Sequence, residues 1–190
     1  MRDEFAYGQC PDCNCIQIME VPQDIEKYYP PYYVSFAQEV PALKRQPFLK
    51  RMIKNMRMKK KYAQSNAPLL AYLKPTAIMP GQKVLDIGCG KGALICQLFN
   101  LGFEQVTGVD KFISQETDYG YGVKVLKKDL SELPSNYYSL LIMHHVLEHV
   151  DNQAEQLKEC YRLLKKGGAL LISLPVVGTA LRYIKKTGCR

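Results

Sequence analysis

From residue 81 onward, short apolar runs alternate with stretches whose apolar positions recur at helical spacing. Lys83–Ile87 (Lys-Val-Leu-Asp-Ile) reads as a first strand and Gln105–Val109 as a second. Val123–Lys127 reads as a weaker third, Ser139–Met143 as a fourth and Ala169–Leu174 as a fifth. Between them, Gly92–Leu101 reads as a helix with Gly102 as its natural stop. Asn152–Leu164 reads as a second helix, with Leu157, Cys160, Tyr161 and Leu164 on one face and a stop at Lys165-Lys166-Gly167-Gly168. Continuous apolar strands alternating with helices predict an α/β fold, a doubly wound, mostly parallel sheet covered on both faces.

The pattern differs before residue 75. Phe48, Leu49, Met52, Ile53 and Met56 stand at helical spacing among basic residues, which predicts an amphipathic helix with a cationic face. Val21–Phe36 is rich in Tyr and Pro, and its prolines exclude a regular helix. Cys10-Pro-Asp-Cys13-Asn-Cys15 forms a cysteine knuckle. The expected organisation is a knuckle and Tyr/Pro segment at 1–36, a basic helical extension at 37–74, and the α/β domain at 75–190.

Composition refines this picture in three places. Hydrophobic content of 47% and charged content of 23% exclude a disordered or fibrous chain. No apolar run approaches the ~20 residues that span a bilayer. Met1-Arg-Asp-Glu-Phe lacks a basic segment followed by an apolar one, so no secretory signal is expected. Seven cysteines, an odd number without a disulfide-like framework, suggest reduced thiols and a cytoplasmic protein. The net charge of +8 comes from one segment: Lys44 to Lys61 holds nine basic residues and no acidic one, which leaves −1 for the rest. That cationic face suits solvent, or a lid over a bound cofactor. Nucleic-acid phosphates are a less favoured partner.

The candidate chemistry begins at Asp86-Ile-Gly88-Cys89-Gly90-Lys-Gly92. Glycines at alternate positions let the backbone bend sharply and let a ligand approach without Cβ atoms in the way. The same residues fit the dinucleotide pattern G-x-G-x-x-G/A, so the turn alone leaves the ligand open. Asp110 ends the second strand, where a carboxylate can accept from both ribose hydroxyls. Asp129 follows the third strand, where it can accept from an exocyclic amine or simply cap a turn. Both lie at strand C-termini, where open α/β sheets bind ligands.

Val84-Leu-Asp-Ile-Gly-Cys-Gly-Lys-Gly-Ala-Leu94, Val106-Thr-Gly-Val-Asp110, Val146-Leu-Glu-His-Val150 and Leu163-Leu-Lys-Lys-Gly-Gly-Ala-Leu-Leu-Ile-Ser173 together resemble the class I S-adenosylmethionine-dependent methyltransferases. The resemblance spans roughly residues 66 to 175 and implies a Rossmann-like fold and S-adenosylmethionine as cofactor. It implies that Asp86, Gly88, Cys89, Gly90 and Gly92 cradle the methionine part, with Asp86 near its ammonium group. It further implies that Asp110 with Lys111 holds the ribose, that Asp129 with Leu130 contacts the adenine, and that His144 borders the cofactor.

His144, His145 and His149 are the candidate catalytic residues, since imidazole titrates near neutrality and can accept a hydroxyl proton. His145-Val-Leu-Glu148-His149 also matches the inverted zinc-protease signature, which requires a helix. A helix from Val146 would put His145, Glu148 and His149 on one face, a spacing open to a divalent ion; the expectation is nonetheless no metal there. Similar sequences in quinone-pathway O-methyltransferases carry acidic and histidine groups at this point.

Cys10 and Cys13 are half of a zinc ribbon, so zinc there is a weak expectation that needs Cys15 or a second chain. Residues 5–36 resemble the stretch that links such a knuckle to the methyltransferase domain in some bacterial sugar- and polysaccharide-modifying enzymes. Family members usually continue past the fifth strand into a helix and an antiparallel hairpin, so this chain looks short at its C-terminus. The favoured function is methylation of a small-molecule or glycan acceptor, on oxygen. The alternatives are an RNA methyltransferase and a cofactor-binding remnant without activity.

Overall fold

Alternation along each strand decides how the molecule is layered. The computed structural model describes residues 3–12, 14, 16–24, 28, 39–44 and 72–175. Its sheet contains β3 (Val84–Ile87), β4 (Val106–Val109), β5 (Thr117–Gly120), β6 (Val123–Leu126), β7 (Tyr138–His144) and β8 (Leu164–Ser173). They lie in the order β5-β6-β4-β3-β7-β8, and β5 alone runs antiparallel to its neighbour. Val84, Val106, Val125, Leu140 and Ile142 point to one face, where α1 (Ala93–Leu101) covers them with Ile95, Cys96, Leu98 and Phe99. Leu85, Ile87, Val109, Leu141 and Met143 point to the other, against Cys160 and Leu163 of α2 (Gln153–Leu163). Both faces are therefore dry, as the uninterrupted apolar strands require.

The caps match the sequence. Gly102 ends α1, its N–H bonding to the carbonyls of Leu98 and Phe99. Asn152 caps α2 by accepting from Glu155 N. Upstream, Asn100 of α1 accepts from Lys44 N at 2.7 Å and donates to Ala42 O at 3.0 Å.

Two expectations need correction. The face of α2 is not Leu157, Cys160, Tyr161 and Leu164. Cys160 and Leu163 are fully buried, whereas Leu157 is 38% and Tyr161 83% exposed. Leu164 has already left the helix. A stripe one residue wide suffices because α2 touches the sheet along a single ridge. Second, Lys165–Gly168 is not a connecting loop. It belongs to the start of β8, with a register shift opposite Tyr138–Leu140 and Gly167 at φ 75°. The connection from β4 to β6 carries a strand that the sequence did not announce. It folds back as β5, a short antiparallel edge strand tied to β6 by an ion pair of Lys124 and Asp118 at 3.0 Å.

The N-terminal residues belong to a second compact unit. There β1 (Tyr7–Gln9) pairs antiparallel with β2 (Ile16–Ile18). The cysteine knuckle is the tip of this hairpin: Asn14, at φ 60°, donates its N–H to Cys10 O at 3.0 Å. Cys13 and Cys15 lie outside the described residues. So do the basic segment from Arg45 to Lys61 and most of the Tyr/Pro segment. No helix among the described residues is long and apolar enough to cross a membrane.

Candidate functional site

The chain leaves β3 toward β4 on one side and returns to β7 on the other, so β3 and β7 flank the switch point of the sheet. Open α/β sheets offer a crevice at the C-terminal ends of such strands. Ile87 pairs with Met143, so Gly88 and His144 begin two loops side by side.

Gly88 has φ 67°, and a Cβ there would lie 2.5 Å from Val146 Cγ2. Its glycine therefore satisfies a left-handed backbone and a close approach of the histidine loop at once. Gly88 N and Cys89 N both donate to Val109 O. Gly90 N donates to Asp110 Oδ2 at 2.9 Å, while Phe112 N donates to Asp110 Oδ1 at 2.8 Å. Asp110, only 8% exposed, is the brace that fixes the turn to the end of β4. From β5, the Tyr119 hydroxyl donates to Lys91 O and supports the turn from outside.

Asp86 is buried on the α1 face of β3 and 4% exposed. Burial, reinforced by the negative charge of Asp110, pushes its carboxyl up to about 8. The Tyr72 hydroxyl is also buried; burial and then Asp86 raise its pKa, with Ser173 opposing. Burial and the same two acids hold the Cys89 thiol protonated, which removes it from nucleophilic chemistry.

Cys89 packs on the next strand. A Cβ at Gly108 would lie 2.5 Å from Cys89 Sγ and 2.9 Å from Cys89 Cβ. Gly108→Ala is expected to lower stability by about 1–3 kcal/mol through overpacking and to weaken ligand binding at the turn. Cys89→Gly should restore the melting temperature of Gly108→Ala, and denaturant midpoints of the four combinations measure the coupling. Strict additivity would show that the contact is immaterial.

Asp129 is exposed and heads a single 3₁₀ turn at Leu130–Glu132. Its Oδ1 accepts from Ser131 N at 3.2 Å, and Glu132 returns the bond to Asp129 N at 2.7 Å. Leu130 is buried against the second core cluster. Lys111 is exposed, its Nζ 4.9 Å from the Phe112 ring centroid.

The histidine loop is one 3₁₀ turn, Leu147–His149, rather than a helix. His145 precedes that turn, and its Nδ1 lies 3.3 Å from Glu148 Oε1. The inverted zinc-protease reading thereby loses its helix. Among the described residues, no three His, Cys, Asp or Glu side chains are grouped to hold a metal. His145 takes φ 56° and donates its N–H to Ser173 O at 3.0 Å. Glu148 Oε2 is buried without a hydrogen-bond partner among the described residues. The His144 ring packs edge-on against Tyr72 at 5.8 Å and His145 at 4.5 Å. Burial, then His145, lowers its pKa below the ordinary value.

The glycine turn follows β3, Asp110 follows β4, and His144 ends β7 with His145 after it, while Asp129 and Lys111 are exposed. Sequence reasoning missed Tyr72, Tyr119 and Gly108. Tyrosines carry no spacing signal, and Gly108 reads as an ordinary strand residue until Cys89 is seen beside it.

Residues 85–172 match the family described as "Methyltransferase domain". The ubiquinone biosynthesis O-methyltransferase of Pseudomonas savastanoi pv. phaseolicola is 30% identical over 105 residues, covering 50% of this chain and 45% of that protein. The mitochondrial ubiquinone biosynthesis O-methyltransferase of Rattus norvegicus is 32% identical over 124 residues, covering 58% and 35%. Among solved structures, Burkholderia thailandensis 1,6-didemethyltoxoflavin-N1-methyltransferase aligns with a TM-score of 0.49 at 20% identity, covering 74% of this chain and 69% of that one. The chain spans less than half the length of the curated relatives named here. The family match and these relatives agree in kind: residues 85–172 resemble a methyltransferase domain.

Proposed function

We propose that this crevice binds S-adenosylmethionine and directs its methyl group to a hydroxyl of a small-molecule or glycan acceptor. The observation that carries the reading is the buried Asp86 facing Asp110 beneath a turn of positive-φ glycines. A buried acid near a second acid gains most from a cationic group, and the cofactor's ammonium is one. Gly88, Cys89, Gly90 and Gly92 form the turn that meets its amino-acid end, where the positive φ of the three glycines shapes the backbone. Asp110, beside Lys111, takes the ribose hydroxyls; Asp129 and Leu130 border the adenine; His144 closes the methionine side. When bound, the cofactor supplies an electrophilic methyl group on a sulfonium with a good leaving group.

Among the three histidines, the geometry favours His145 as proton acceptor. A carboxylate only accepts, so Glu148 keeps the proton on His145 Nδ1 and leaves the Nε2 lone pair for a substrate hydroxyl. Oxygen as the acceptor atom rests on the names of the O-methyltransferase relatives.

The test uses the full chain with methyl-labelled donor and a panel of catechols, sugars and RNA. Label in a hydroxyl-derived methyl ether supports the proposal. Label in RNA, or binding of S-adenosylhomocysteine without turnover on any acceptor, overturns it. His145→Gln is expected to cut turnover about 100-fold, as for loss of a general base, with affinity for S-adenosylhomocysteine unchanged. Full turnover in that variant would remove His145 from the chemistry.

A further inference from the structure

Arg162 stands in the last turn of α2, yet its guanidinium leaves the helix. Nη2 donates to Leu130 O at 2.8 Å, and Nη1 donates to Leu133 O at 2.9 Å and Ser135 Oγ at 2.8 Å. Nε and the remaining Nη2 proton go to Glu159 Oε2, at 2.9 and 2.7 Å. All five guanidinium donors are thus committed, so none is left for a ligand. The backbone adds two ties: Asn136 N donates to Arg162 O at 2.8 Å, and Tyr137 N to Leu163 O at 2.9 Å. The whole stretch from Leu130 to Tyr137 hangs from the end of α2. Leu130 and Leu133 then bury their side chains in the cluster that contains Cys160 and Leu163.

We infer that Arg162, held by Glu159, is a positioning residue that fixes the nucleobase edge of the cofactor site and so sets its preference for adenine. The inference rests on Asp129 and Leu130 bordering the base, as proposed above. Adenine presents an amino donor where hypoxanthine presents a carbonyl acceptor. A carboxylate and backbone held in place disfavour the wrong polarity, because an acceptor then meets an acceptor. The same loop, free to shift by a fraction of an ångström, can accommodate either base. Glu159 matters because it consumes two donors and aims the other three. Lysine at 162 keeps the charge but has a single nitrogen, which cannot span Leu130 O, Leu133 O and Ser135 Oγ.

The experiment measures dissociation constants of S-adenosylhomocysteine and S-inosylhomocysteine for the full chain, for Arg162→Lys and for Glu159→Gln. The expected wild-type preference for the adenine ligand is at least about tenfold, the order of one hydrogen bond. It should shrink to within about threefold in Arg162→Lys and to an intermediate ratio in Glu159→Gln. An unchanged ratio, with both affinities and the melting temperature falling together, would show a purely structural clamp and overturn the inference. Should Arg162→Lys fail to fold, the ratio in Glu159→Gln decides. A wild type that does not discriminate would refute the placement of the base at Asp129–Leu130, and the inference with it.

Discussion

Asp110→Ala should weaken binding of S-adenosylhomocysteine by about 100-fold or more, and should destabilise the protein even without ligand. Two effects combine. The carboxylate oxygens are the proposed acceptors for the ribose hydroxyls, and hydrogen bonds to a charged group are worth about 1.5–3 kcal/mol each. The same oxygens already accept from Gly90 N and Phe112 N. Alanine leaves those amides without a partner in a site only 8% exposed, at about 1–3 kcal/mol per buried group. Asp110→Asn separates the two, since its amide oxygen can retain Gly90 while its NH₂ cannot accept from anything. Calorimetry against S-adenosylhomocysteine and denaturant midpoints of the free protein give the two costs independently. If Asp110→Ala loses stability but binds within about threefold of wild type, less than one hydrogen bond, Asp110 only braces the glycine turn and the ribose lies elsewhere.

The second large effect concerns pH. Burial first, and Asp110 second, raise the Asp86 carboxyl from the ordinary carboxylate range to about 8. In the free protein the acid is therefore protonated at neutral pH. Its folded pKa exceeds its unfolded one, so the stability it contributes is full below the unfolded value and is lost as pH rises through the folded value near 8. The ligand reverses this slope. An ammonium beside Asp86 favours the carboxylate, so binding expels the proton. Affinity for S-adenosylhomocysteine should climb by about one decade per pH unit over the acidic side of neutrality, because one proton leaves per ligand bound. Calorimetry in buffers of different ionisation enthalpy should count close to one proton released at pH 6.5. Asp86→Asn should flatten both the affinity profile and the proton count. A wild-type profile already flat over that range would mean that no cation meets Asp86.

What could be read from the chain alone follows from which interactions are local. Strand positions such as Val84–Ile87 and Ser139–Met143 announce themselves, because burial on both faces demands unbroken apolar residues. The glycine turn and the aspartates after β4 and β6 were legible because turns at strand ends use few residue types. The sheet's antiparallel edge was not. Thr117–Gly120 alternates between half-buried and exposed over four residues, too short to stand out from a loop. Tyr161 misled because an aromatic at helical spacing suggests a buried stripe, whereas the contact ridge is Cys160 and Leu163. Arg162 carries no motif that would single it out. Its partners are carbonyls 29 and 32 positions away, and backbone oxygens leave no trace in side-chain patterns. The histidine loop lay between these cases. Its residues were visible, but the pairing of His145 with Glu148 depends on a left-handed backbone at His145 that the sequence does not announce.

The contact of Cys89 with Gly108 also constrains how the two positions can change over generations. Alanine at 108 cannot be accepted while a side chain occupies 89, since even Cys89 Cβ would stand 2.9 Å from the new methyl carbon. Glycine at 89 can be accepted first, at the cost of one small half-buried side chain. A lineage can therefore travel from the Cys–Gly arrangement to a Gly–Ala one in only one order. The two positions should then appear in descendants as a single linked character rather than two independent ones.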